Sequence, residues 1–122
     1  MATVRQETGA ADVGDSIDVE LISEITDLAL KTELNTSTRA VIDTRTAELV
    51  RHLSLLLVQN LGTDEDPKIR ELFRKGYRLL DLEQRPTPST PAFAAFLHLR
   101  EMAGLTRRLL RVYAEGEGHG IS

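Results

Sequence analysis

One stretch restricts the folds open to this chain more than any other: Leu49-Val50-Arg51-His52-Leu53-Ser54-Leu55-Leu56-Leu57-Val58-Gln59-Asn60-Leu61. Eight of its thirteen residues are large aliphatics, and it is far longer than an average strand. At 100° per residue, Leu49, Val50, Leu53, Leu56, Leu57 and Leu61 fall on one broad stripe, which is the periodicity of a helix. Leu55 and Val58 lie outside the stripe, so the second half of this helix is apolar nearly all round. Such a segment needs cover on more than one side. It is expected at the centre of a small bundle.

The remaining chain supplies the cover. Residues 1–15 contain Gly9, Gly14, adjacent alanines and no periodic pattern, and read as a flexible leader. A first helix starts at Ser16 or Asp18, either of which can cap it, and sets Ile17, Leu21, Ile22, Ile25, Leu28 and Ala29 on one face. Asn35-Thr36-Ser37-Thr38 interrupts, and Ser37 or Thr38 caps a second helix running from about Arg39 to Leu61, with Gly62 suited to the left-handed stop position. Asp66-Pro67 is a strong restart, an Asp cap followed by Pro where a missing N–H costs nothing. The third helix carries Ile69, Leu72, Phe73, Tyr77 and Leu80 in i, i+3/i+4 succession, and Gly76 on the same stripe implies close approach of a neighbour. Three prolines within Pro86–Pro91 make an extended crossover, ended by a Thr90 cap and Pro91. The fourth helix, about Ala92 to Glu115, buries Ala95, Leu99, Met102, Leu105, Leu109, Leu110, Val112 and Tyr113, and residues 116–122 read as a flexible tail. The expected fold is all-α: a single-domain antiparallel four-helix bundle over residues 16–115.

The absence of cysteine excludes disulfides and thiolate chemistry. Residues 1–15 lack the apolar run of a secretory signal, and no apolar stretch approaches the ~20 residues of a membrane span. A cytoplasmic protein is therefore expected. Charge is uneven: residues 1–66 hold five Arg and Lys against thirteen Asp and Glu, whereas residues 67–122 hold ten against six. Such asymmetry marks either a basic surface for an anionic partner or simply acidic and basic helices packed side by side.

An acidic first helix, then Leu-Val-Arg-His-Leu-Ser-Leu-Leu-Leu, then a last helix with Leu105-Thr106-Arg107-Arg108-Leu109-Leu110 before Tyr113 resembles a family of small uncharacterised helical proteins from streptomycetes, over roughly residues 17–115. The resemblance implies an all-helical fold and an actinobacterial source. It brings no activity and no functional residue.

Catalytic chemistry finds little support. Glu48 and His52 are i, i+4 and His98 and Glu101 are i, i+3, but neither has the Glu-x-x-His order of di-iron bundles. Locally hydrogen-bonded edge histidines are the simpler account, so no metal and no cofactor are expected. Ser54 and Thr106 sit among aliphatics in mid-helix, where each can donate to a carbonyl one turn earlier. No glycine-rich phosphate loop precedes a helix. No catalytic residue is assigned, and the protein is not expected to be an enzyme.

Two binding surfaces remain. Val19, Leu30, Leu34, Phe93 and Leu97 fall outside the helical stripes and form an interface if they converge in space. Arg70, Arg74, Lys75 and Arg78 on the third helix and Arg107, Arg108 and Arg111 on the fourth form an anion-binding surface if the two faces are coplanar. Against nucleic acid stand a pI of about 5.4 and a proline crossover too long for a helix–turn–helix. The favoured reading is a small interaction or regulatory module with a protein partner or self-association. The alternative is a nucleic-acid-associated accessory protein using the basic faces of the third and fourth helices.

Overall fold

A computed structural model describes residues 17–59 and 61–121; the leader assigned to residues 1–15 lies outside them. Among the described residues the chain forms four helices and no strand: α1 (Val19–Lys31), α2 (Arg39–Leu57), α3 (Pro67–Leu80) and α4 (Ala92–Ile121). Each of the first three starts where a side-chain oxygen can take an otherwise unpaired N–H. The Asp18 carboxylate accepts from Leu21 N–H at 3.0 Å, the Thr38 hydroxyl from Val41 N–H at 3.2 Å, and the Asp66 carboxylate from Lys68 N–H at 2.9 Å, with Pro67 opening α3.

Long-range bonds set the topology. Arg100 of α4 donates to the Leu30 carbonyl near the end of α1, and Arg107 reaches Asp27 one turn back, so these helices are antiparallel. His98 meets the Leu79 carbonyl and Leu105 lies beside Gly76, which makes α3 and α4 antiparallel as well. Arg39, the first residue of α2, donates to the Thr87 and Thr90 carbonyls just before α4, so α2 and α4 begin together and run parallel. This parallel pair has the most extensive contact, with α1 and α3 on its flanks and not touching each other. The up-down-up-down order is that of an antiparallel bundle, but one diagonal has closed.

The leucine-dense segment occupies the middle of that slab, packed by all three other helices. Leu49, Leu53 and Leu56 of α2 and Leu99, Met102 and Leu109 of α4 are fully buried. The approach of α3 depends on Gly76: a Cβ there would stand 3.0 Å from both Leu57 methyls and 3.5 Å from a Leu105 methyl. Only glycine lets the backbones come this near without a shift.

Several sequence expectations need correction. On α1 the buried face is Ile22, Ile25, Thr26 and Ala29, while Leu21 and Leu28 are exposed. The Thr26 hydroxyl donates to the Ile22 carbonyl at 2.7 Å, which removes the penalty for burying it. α2 ends at Leu57 rather than Leu61, and Val58 is exposed. Gly62 does take a positive φ of 93°, but its carbonyl accepts from Glu65 and Asp66 N–H and turns the chain into α3 rather than stopping α2. Tyr77 lies at the surface, its ring edge-on to Phe73 with centroids 6.4 Å apart. Thr90 accepts from Thr87 N–H at 2.8 Å and stabilises the crossover instead of capping α4. Finally, the backbone of α4 stays helical to Ile121, through residues read as a tail. Glycine lowers helix propensity but, unlike proline, removes no backbone donor.

Candidate anion-binding cleft between α3 and α4

The basic residues of the second half are not equivalent once the helices are placed. Arg70 donates from Nε to the Thr63 carbonyl at 3.2 Å and ties α3 to the preceding loop. Arg74 pairs with Glu71 one turn away. Arg107 faces the other flank, where Nη2 donates to Asp27 Oδ1 at 2.8 Å. Arg111 is exposed and does not border the cavity between α3 and α4. Four of the seven candidate anion-binding residues are thus engaged or directed elsewhere.

The other three converge. Lys75 and Arg78 from α3 and Arg108 from α4 border one cavity of about 480 Å³, open to solvent. Spacing explains the wall of α4: Arg100, Gly104 and Arg108 are i, i+4 and i+8, so they stack on one side of the helix. On α3, Lys75, Arg78 and Leu79 are i, i+3 and i+4 and form the facing wall. Leu79 and Leu105 give the cavity apolar surface, Gln84 reaches it from the loop after α3, and Glu101 is its one carboxylate. Arg100 is held in place, with Nη1 3.3 Å from the Leu30 carbonyl and its guanidinium 5.8 Å from the centre of the Phe96 ring. Lys75, Arg78 and Arg108 make no ion pair among the described residues.

His98 also lines the cavity and is buried. Its Nε2 lies 3.2 Å from the Leu79 carbonyl, the geometry of a donated bond, and Nδ1 is then left without a partner among the described residues. Local hydrogen bonding thus accounts for half of this ring. It fails for His52, whose two ring nitrogens are both buried without partners among the described residues. Burial and the neighbouring Arg51 hold the His52 pKa below its usual value, against the opposing pull of Glu48 and Asp18. No three His, Asp or Glu side chains gather as a metal site would need among the described residues. The Ser54 and Thr106 hydroxyls donate to the Val50 and Met102 carbonyls, both at 2.7 Å.

Comparison with protein-family models, curated proteins and solved structures finds no match for this chain.

Of the five apolar interface candidates, Val19 stands apart from Phe93 and Leu97. Leu30 and Leu34 are partly buried against the core. Val19 is exposed at the start of α1, Phe93 and Leu97 at the start of α4. Because Leu30 is level with Arg100 and the helices are antiparallel, Val19 and Phe93 lie roughly 27 Å apart along the bundle at 1.5 Å per residue. Phe93 and Leu97 are exposed one turn apart on α4.

Sequence reasoning named Lys75, Arg78 and Arg108 but gave no role to Gly104, Gln84 or His98 in this cleft. One signal was available. A glycine one turn from an arginine on either side, Arg100-x-x-x-Gly104-x-x-x-Arg108, marks a helix stripe that is cationic and bare. Gln84 comes from an irregular loop and carries no periodic signal.

A second cavity, of about 560 Å³, lies between α2 and the proline crossover. Its cations are already bound: Arg39 to Asp43 and the crossover carbonyls, Arg85 to the Leu80 carbonyl.

Proposed function

We propose that this protein is a small non-catalytic binding module that holds an anionic partner in the α3–α4 cleft. The observation that carries the reading is the convergence of Lys75, Arg78 and Arg108 on one cavity that contains a single opposing carboxylate. Unpaired cations around a partly enclosed, low-dielectric wall attract anions more strongly than the same charges spread over a surface. A site of action in the cytoplasm fits a chain without cysteine. No described helix is long and apolar enough to cross a membrane.

The test is thermal unfolding in phosphate, sulfate and chloride at equal ionic strength. Wild type is expected to gain stability in the multivalent anions, as any ligand of the native state requires. The variant Lys75→Gln/Arg78→Gln/Arg108→Gln is expected to lose that gain. An equal gain in the variant would refute the reading.

A second reading rests on Phe93 and Leu97, exposed side by side on α4, and takes them as a contact for a second copy or a protein partner. Sedimentation of wild type and Leu97→Glu tests self-association; a monomer in both removes it. Nucleic acid is the weaker alternative, because Arg70, Arg74 and Arg107 have intramolecular partners and leave no continuous basic stripe. Duplex binding that weakens steeply with salt would restore it.

A further inference from the structure

We infer that the cleft takes a small phosphate monoester, a dianion carried on an apolar body, and that Gly104 is the residue that keeps the cleft open for it. The inference rests on the reading of the cleft as an anion site and adds the class of ligand.

Charge comes first. Lys75, Arg78 and Arg108 face one carboxylate, Glu101, so the cavity keeps two positive charges to balance; Arg100, also on its wall, is engaged with the Leu30 carbonyl and Phe96. Guanidinium forks match the oxygens of a phosphate group, and a monoester presents three such oxygens at the end of one bond. The shape of the basic surface then decides against a polymer. These cations border a cavity rather than follow a line along the surface. Size and lining add the third point: about 480 Å³ falls within the roughly 300–1,000 Å³ of small-molecule sites. Inorganic phosphate alone would leave the half-buried Leu79 uncovered.

Gly104 is an independent observation. It lies mid-helix in α4, where glycine is the poorest choice after proline, and it has no positive φ to justify it. Nor does packing require it, since a Cβ at this position would meet nothing within 4 Å. Gly76 is the contrast, enforced by Leu57. Gly104 faces the cavity, and the space above it belongs to no protein atom. A bare helix surface between two arginines is what close approach of a ligand needs.

The experiment is calorimetric titration of the full chain with phenyl phosphate, phenyl sulfate, inorganic phosphate and a 20-base-pair duplex, each variant being melted in parallel. Phenyl phosphate is expected to bind one to one and more tightly than phenyl sulfate, which has the same shape but one charge fewer. Arg78→Gln and Arg108→Gln should each weaken it by about tenfold, the usual result of losing a charged hydrogen bond. Gly104→Leu should abolish binding while its melting temperature equals or exceeds that of wild type. Undiminished binding of phenyl phosphate by Gly104→Leu would overturn the role of Gly104. Preference for phenyl sulfate, for inorganic phosphate or for the duplex would overturn the ligand class but leave the anion reading standing. Binding of none of the four would remove both.

Discussion

The two mid-helix glycines make a matched pair in which one substitution should have opposite outcomes. Replacing glycine by alanine in a helix gains about 1 kcal/mol of propensity. At Gly104 nothing opposes that gain, because the new methyl group has no neighbour within 4 Å; Gly104→Ala should therefore stabilise the protein by up to about 1 kcal/mol. At Gly76 the same methyl meets both Leu57 methyls at 3.0 Å and a Leu105 methyl at 3.5 Å. Rotating Leu57 away from one clash carries its other branch toward the same space, and Leu57 is itself buried. Overpacking of this kind costs about 1–3 kcal/mol, which matches or exceeds the gain. Gly76→Ala should thus be neutral to about 2 kcal/mol destabilising, leaving the pair about 1–3 kcal/mol apart. For a domain of this size that is a difference of at least about 4 °C in Tm. Urea unfolding followed by circular dichroism at 222 nm measures both variants on one scale. Equal stabilisation by the two substitutions would refute the close packing of α3 on α2 and α4.

His52 gives a pH prediction. Its folded pKa is depressed by burial, so the unfolded chain takes up the proton first, and the stability held above about pH 6.5 is lost as pH falls below that value. His52→Leu should remove this part of the slope between pH 7.5 and 5.5, seen by urea unfolding at the two pH values; an unchanged slope would contradict the assignment. At the centre of the slab, Leu53→Ala should cost about 2–5 kcal/mol, because Leu53 is fully buried. A loss below 1 kcal/mol would mean that the leucine segment is not enclosed.

Local chemistry made much of this fold readable. Asp18, Thr38 and Asp66-Pro67 act within three residues of themselves; Asp66 caps where the sequence places it, and Asp18 and Thr38 are each one of the two candidates it offers. The close approach at Gly76 was legible because an apolar stripe surrounds it. What failed depends on distant partners. Nothing near Leu28 says that α1 buries Thr26 instead, since that follows from where α2 and α4 lie and from a hydroxyl that satisfies itself on Ile22. The proline crossover was legible as irregular chain, whereas its attachment to Arg39, nearly fifty residues earlier, was not. The cleft shows the same division. Lys75, Arg78 and Arg108 announce themselves by charge, but Arg107 looks equivalent to Arg108 until Asp27, 80 residues away in sequence, removes it.

The most direct test of the central claim is a two-dimensional amide NMR titration of the 15N-labelled protein with phenyl phosphate. Saturable shifts should cluster at Lys75, Arg78, Gln84, Gly104 and Arg108, with α1 and the Arg39 end of α2 unmoved. Shifts scattered over every basic residue, or centred on Arg39 and the proline crossover, would contradict it.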